Sequence, residues 1–106
     1  MSNNIEYTNN FMLGALSNKL KIKESLYYKG FNNIDLLIDL DLLINQSNFT
    51  KRQLEVLTLY FIHQNTQEEV SAILGISQQA VLDHIKKIKI KIQKTLDEWG
   101  EKDGIQ

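Results

Sequence analysis

The stretch from Thr66 to Lys94 constrains the fold of this chain more than any other, because it carries start and stop signals for two adjoining helices. Thr66 and Glu69 have the spacing of a capping box, which predicts that a helix begins here. Gly75 lets the chain leave that helix in a left-handed conformation, and Ser77 is a good N-cap for the next helix. Two helices joined by so short a turn predict a helix-turn-helix, a motif whose second helix enters the major groove of DNA.

The rest of the chain is predicted to be helical as well. It has no proline and only five glycines in 106 residues, which favours a single all-α domain over a turn-rich β fold. The absence of cysteine excludes a disulfide framework and a thiolate metal site. Residues 1–10 have neither a basic start nor an apolar core, so we expect a cytoplasmic protein without a membrane span.

Two helices are predicted before the motif. Residues 1–10 are rich in asparagine and are expected to form a flexible arm. Apolar residues then recur at helical spacing from Phe11 to Lys29, and Gly30 marks the expected end. Residues 34–45 predict a second helix that is apolar around most of its circumference, which implies cover by the rest of the domain or by a second subunit. Residues 11–48 are thus an N-terminal helical segment for packing or dimerisation.

A third helix should lead into the motif. Thr50 and Gln53 form another capping box, and Leu54, Leu57 and Phe61 recur at spacings of three and four, so they are predicted to face inward from Lys51 to about Gln64. The small core of the motif is then expected to be closed by a further apolar set: Val70, Ile73, Leu74, Ile76, Val81 and Ile85.

The last helix is predicted to continue well past the groove-binding turns and to stop near Gly100, which leaves residues 100–106 as an acidic tail and residues 49–99 as the motif domain. An apolar stripe runs along it at helical spacing: Val81, Ile85, Ile88, Ile92, Leu96 and Trp99. Such a stripe is either covered by the N-terminal helices or paired with a second copy of the chain. A homodimer could therefore use residues 34–45 or the part of the stripe from Ile85 to Trp99.

Charge is distributed unevenly along the chain. The formal net charge is −1, but residues 50–96 hold seven Lys or Arg against four acids, a balance of +3. Residues 97–106 hold four acids and one lysine, a balance of −3. The basic part thus coincides with the helix-turn-helix, which supports contact with nucleic acid, although a lysine-rich helix face that is merely solvated would look the same.

The side chains expected to meet DNA follow from the register of the second helix. With Val81 and Ile85 inward, the base-reading positions of its first two turns are Gln78, Gln79, Leu82 and Asp83. Glutamine pairs well with adenine, a carboxylate with cytosine N4, and leucine with the thymine methyl group. Phosphate contacts are expected from basic side chains and one N-cap hydroxyl: Lys51, Arg52, Ser77, Lys86, Lys87 and Lys89.

The predicted third helix and the helix-turn-helix that follows it resemble region 4 of bacterial sigma factors and the sigma-region-4-like regulators of phages and prophages. The family's opening pattern is matched by Phe49, Thr50, Arg52, Gln53, Val56 and Leu57, and its helix-turn-helix pattern by Gln67, Glu68, Glu69, Val70, Leu74, Gly75, Ile76 and Ser77. The resemblance covers residues 49 to about 96. Ser71 stands where the family usually has alanine, and Leu82 and Asp83 stand where it more often has basic or polar residues.

The resemblance implies a double-stranded DNA-binding transcriptional regulator in a bacterial host cell, similar to stand-alone phage or prophage regulators, with contact to host RNA polymerase or another regulatory protein as a further expectation. Two alternatives remain open. One is a protein-interaction module on the same fold, and the other is a DNA-recognition subunit of phage DNA packaging. No nucleophile with a base, phosphate loop or paired catalytic carboxylates can be identified, so we expect no enzyme activity, cofactor or metal.

Overall fold

The computed structural model describes residues 8–18 and 34–105. Every regular element in this part of the chain is helical: α1 (Asn9–Ser17), α2 (Ile34–Gln46), α3 (Lys51–Val56), a π-helical segment (Leu57–Ile62) that continues α3, α4 (Gln67–Leu74) and α5 (Gln78–Ile105). The predicted all-α fold is confirmed. The division into arm, N-terminal segment, motif domain and tail stays a prediction.

Both capping boxes form as predicted. The Gln53 N–H donates to Thr50 Oγ1 over 3.1 Å, and the Thr50 N–H donates to Gln53 Oε1 over 3.0 Å. The Glu69 N–H and Thr66 Oγ1, at 3.1 Å, and the Thr66 N–H and Glu69 Oε1, at 2.9 Å, repeat the arrangement. Each box satisfies two backbone donors that have no partner within the helix, so it fixes where α3 and α4 begin.

The inward face of α3 differs from the prediction. Leu54 is 38% exposed, whereas Gln53, Val56 and Leu57 are buried and Phe61 is half-buried. Gln53 tolerates burial because its side-chain oxygen accepts hydrogen bonds, and its position lies on the same helical stripe as Val56 and Leu57. A pattern of apolar residues alone selects Leu54 in place of Gln53, so the prediction is wrong for Leu54, while Leu57 and Phe61 pack inward as predicted.

One predicted core residue of α4 is also wrong. Ile73 is 57% exposed, while Val70 is buried and Leu74 and Ile76 are half-buried. The face of α4 that points into the protein contains Val70, Ser71 and Leu74, so Ile73 lies to one side of it. A half-buried polar residue, Ser71, occupies the place that the apolar pattern assigned to Ile73.

The apolar stripe of α5 is covered within the chain. Val81, Ile85, Ile88, Ile92 and Leu96 are buried, and they form one core cluster with Met12, Leu13, Leu16, Leu40 and Leu43 from α1 and α2. Trp99 is half-buried against the same cluster. The proposed dimer through this stripe is therefore wrong, because its side chains already pack against the chain's own N-terminal helices.

The first and last helices, α1 and α5, begin or end at positions other than those predicted. α1 begins at Asn9, two residues early, because Thr8 Oγ1 accepts a hydrogen bond from the Phe11 N–H at 3.1 Å and acts as N-cap. It ends at Ser17, so an unbroken helix from Phe11 to Lys29 is wrong. Residues 19–30 of that prediction and residues 1–7 of the predicted arm (1–10) lie outside the described residues, whereas the last three residues of the arm cap and begin α1. α5 contains both Gly100 and Gly104 and runs to Ile105, since each glycine within a helix costs only about 1 kcal/mol.

Candidate nucleic-acid interface

The turn between α4 and α5 is built by Gly75 and closed by Ser71. Gly75 has φ +69° and ψ +33°, the left-handed conformation predicted for it. Its N–H donates to the Ser71 carbonyl over 2.9 Å, and the Ile76 N–H donates to the same oxygen over 3.2 Å. In return, Ser71 Oγ donates to the Ile76 carbonyl over 2.5 Å. Ser71 thus fixes both ends of the turn that sets the angle between α4 and α5.

The N-terminus of α5 has the predicted cap and register. Ser77 Oγ accepts a hydrogen bond from the Ala80 N–H over 3.0 Å. Because Oγ acts as acceptor there, the hydroxyl hydrogen of this exposed serine remains a donor that a phosphate oxygen could accept. Val81 and Ile85 are fully packed in the core, so the register of the helix is fixed.

The four predicted base-reading side chains differ from one another in solvent exposure. Gln78, Gln79 and Asp83 are exposed, whereas Leu82 is half-buried. Gln79 Nε2 donates to Asp83 Oδ1 over 3.1 Å, one turn along the helix. A carboxylate can only accept, so this bond sets the orientation of the Gln79 amide and leaves its oxygen exposed. The two residues therefore form one polar unit.

Basic side chains lie along the same helix. Lys86, Lys87 and Lys89 of α5 are all exposed, as are Lys51 and Arg52 in the first turn of α3. Exposed lysine side chains can approach phosphate oxygens.

Arg52 already has a partner on its own helix. Its Nη1 lies 3.0 Å from Glu55 Oε1, in a surface ion pair three residues apart. Such a pair contributes only a few tenths of a kcal/mol. A phosphate could therefore replace Glu55 at small cost.

Several residues that hold this surface in place were not identified from the sequence. Lys91 is only half-exposed: its Nζ donates to the Asn48 carbonyl over 2.9 Å and to Gln53 Oε1 over 2.7 Å. Ser47 Oγ and Thr95 Oγ1 are 2.9 Å apart and buried. The sequence gives no signal for these pairs, because their members lie some 40 residues apart.

An apolar groove lies between α3 and α4, on the side of the exposed Leu54. It encloses about 390 Å³ and is lined by Lys51, Leu54, Glu55, Thr58, Leu59 and Leu74. Ile73, beside Leu74 in the chain, adds further exposed apolar surface. Of the three leucines that line the groove, Leu54 is exposed and Leu59 and Leu74 are half-buried, and accessible apolar surface in a groove is typical of sites that contact another protein.

Within the described part of the chain, no three His, Cys, Asp or Glu residues are grouped so as to hold a metal ion. Nor does any helix there have the length and apolar character needed to cross a membrane.

In a comparison with protein families, residues 48–94 match the family sigma-70, region 4. The match covers less than half of the chain and spans α3, the π-helical segment, α4 and the first half of α5. The predicted resemblance is confirmed over almost the range expected. Sigma-70 region 4 is a DNA-binding helix-turn-helix domain and not an enzyme family, and residues 48–94 of this chain are similar to it. Comparison with curated proteins and with solved structures gave no match.

Proposed function

We propose that the chain, through its sigma-70 region 4-like segment, is a sequence-specific double-stranded DNA-binding transcriptional regulator. The observation that carries this proposal is the first part of α5. It presents Gln78, Gln79 and Asp83 to solvent on a helix held by a complete helix-turn-helix turn, with Lys86 and Lys87 one turn further along. That arrangement supports the proposal, because base-reading groups on such a helix can enter a groove while the cations meet the phosphates beside it.

Base reading is assigned to Gln78, Gln79, Leu82 and Asp83. The exposed oxygen of the Gln79 amide and the second oxygen of Asp83 are acceptors, so they suit the exocyclic amino groups of adenine and cytosine. Leu82, half-buried, offers its apolar surface to a thymine methyl group. Where a side chain pairs with a base through two hydrogen bonds, the pair is worth roughly 1–3 kcal/mol of discrimination.

Phosphate contacts are assigned to the exposed cations and to the Ser77 hydroxyl: Lys51, Arg52, Ser77, Lys86, Lys87 and Lys89. They come from two elements, the first turn of α3 and the first half of α5. Contacts from two elements fix the orientation of a protein on a duplex without carrying sequence information.

Selection from a pool of duplexes with a random central sequence tests sequence specificity. The wild-type chain should enrich one motif, and Gln79→Ala with Asp83→Ala should lose preference at one or two adjacent positions of it while keeping the rest. Enrichment of no motif by the wild-type chain would show that binding is not sequence-specific. A variant motif identical to that of the wild type would remove Gln79 and Asp83 from the reading set.

The resemblance to stand-alone regulators supports a phage or prophage origin and action in the cytoplasm of a bacterial host, with host RNA polymerase as a second partner.

A protein-binding role is the second candidate function, and the groove between α3 and α4 favours it. If this groove binds RNA polymerase, a sigma factor or another regulator, the uncharged substitution Leu54→Gln should weaken capture of that protein and leave the salt dependence of DNA binding unchanged. Equal capture by the variant and the wild type would exclude the groove.

For a homodimer, the surface that remains is α2. Ile38 and Leu42 lie one helical turn apart and are 52% and 41% exposed. We propose that a second copy packs here, as expected for a helix-turn-helix protein that binds a two-fold symmetric operator. A ring, by contrast, would favour the packaging subunit, so the measured mass distinguishes the two roles.

A further inference from the structure

A row of polar contacts ties the second half of α5 to the end of α2, the following loop and the start of α3. Lys91, Thr95 and Trp99 are spaced four residues apart, so they lie on one side of the helix. Lys91 bonds to Asn48 and Gln53, Thr95 to Ser47, and Trp99 Nε1 to Gln46 Oε1 at 2.7 Å. We call these contacts the polar ladder.

The polar ladder contains every polar side chain that is buried among the described residues: Ser47, Gln53 and Thr95. Their hydrogen bonds are satisfied in a single consistent arrangement. Thr95 Oγ1 donates to the Lys91 carbonyl over 3.0 Å, so the Ser47 hydroxyl is the donor in the bond between Ser47 and Thr95. Buried polar groups that are hydrogen-bonded to one another favour one packing register, because a shift would leave them unpaired.

The Lys91 contact joins the polar ladder to the start of α3. Gln53 Oε1 accepts from Lys91 Nζ at 2.7 Å and also from the Thr50 N–H at 3.0 Å, the bond that closes the capping box. The residues that follow Thr50 are Lys51 and Arg52. The Lys91 ammonium on α5 thereby holds the first turn of α3, the other helix to which we assign phosphate contacts.

From this geometry we infer that Lys91 is a positioning residue for DNA binding and not a phosphate ligand, an inference that rests on the proposed function. Two of its three ammonium hydrogens are donated within the protein, and its Nζ lies 5.9 Å from the centre of the Phe49 ring. Lys91 holds Lys51 and Arg52 at a fixed distance from the reading turns of α5. The basic side chains of α3 and α5 can then bind the duplex at the same time, and binding need not first order the start of α3.

The test compares Lys91→Met with two other lysine variants in DNA titrations at several salt concentrations. Lys91→Met keeps most of the side chain's bulk and should lower affinity by up to about tenfold, because it reduces the population of the binding arrangement. The slope of log K against log salt should stay that of the wild type. Lys87→Met should instead reduce the slope by about 0.9, the value for one lost phosphate contact. Lys94→Met, which removes an exposed charge nearby, controls for charge alone.

Thr95→Val is the control for a purely structural role, since it removes the contact with Ser47 and leaves the start of α3 intact. It should lower stability while leaving DNA affinity unchanged. Lys91→Arg retains donors for Asn48 and Gln53, so it should restore affinity and keeps the test available if Lys91→Met does not fold. Amide hydrogen exchange supplies a readout without DNA: in Lys91→Met, exchange near Gln53 should accelerate by about tenfold.

A smaller salt slope in Lys91→Met would overturn the inference, because Lys91 would then be a phosphate ligand. An affinity loss in Thr95→Val equal to that in Lys91→Met would overturn it as well, since the effect would be one of stability alone. Failure of the wild-type chain to bind DNA would refute the proposed function and the inference together. Accelerated exchange in Lys91→Met would then show that the contact still organises α3, whereas unchanged exchange would show that it does not.

Discussion

Replacement of Gly75 by alanine tests the geometry of the turn on which the interface depends. A Cβ atom added at Gly75 would have no heavy atom within 4 Å, so the substitution introduces no clash. The whole effect then comes from the backbone, because φ is +69° and a residue with a Cβ in this conformation costs about 1–2 kcal/mol. For a domain of this size, that loss corresponds to a melting temperature lower by roughly 4–16 °C.

Gly14→Ala is the matched control, since a Cβ at Gly14 also has open space around it but lies within α1. Alanine is favoured over glycine in a helix by about 0.5–1 kcal/mol, so the same chemical change should stabilise the protein there. Urea unfolding of both variants measures the difference. Gly75→Asn should fall between wild type and Gly75→Ala, because asparagine tolerates the left-handed conformation better. A Gly75→Ala variant as stable as the wild type would refute the turn geometry.

The other predictions concern stability and assembly. Ser71→Ala should lower the free energy of unfolding by about 1 kcal/mol in urea titrations, because it removes the bond to the Ile76 carbonyl across the turn; no loss would mean that the bond adds nothing. Thr66→Ala should also cost about 1 kcal/mol through the lost N-cap, and unchanged thermal unfolding would contradict the role of the capping box. Ile38→Asp combined with Leu42→Asp should convert a dimer into a monomer by light scattering, and a wild-type chain that is already monomeric would refute the α2 dimer.

The parts of the fold that depend on local chemistry could be predicted from the sequence. Thr66 and Ser77 act through hydrogen bonds to backbone groups three residues away, so the spacing of residue types is sufficient to identify them. Gly75 is likewise recognisable, because few residues adopt a positive φ. The start of α5 follows from these local signals, and so do the reading positions that we propose, which are counted from it.

The parts that depend on tertiary contacts could not be predicted. Gln53 is buried because Lys91, 38 residues further along, donates to it, and no local pattern shows that partner. Leu54 and Ile73 are apolar and at suitable spacing, yet they are exposed because polar neighbours occupy the inward positions. Apolar spacing also does not show what buries the α5 stripe. A second copy of the chain and the helices α1 and α2 could each cover the same apolar residues, and in the structure α1 and α2 do so.

The salt dependence of DNA binding tests the central claim most directly. Lys86 and Lys87 are exposed and adjacent to the reading positions, so each is expected to neutralise one phosphate. For the duplex enriched by selection, the affinity of the wild-type chain should fall steeply with salt, and Lys86→Ala with Lys87→Ala should reduce the slope of log K against log salt by about 1.8. A wild-type chain that binds no duplex at low salt, or a double variant with an unchanged slope, would contradict DNA binding through α5.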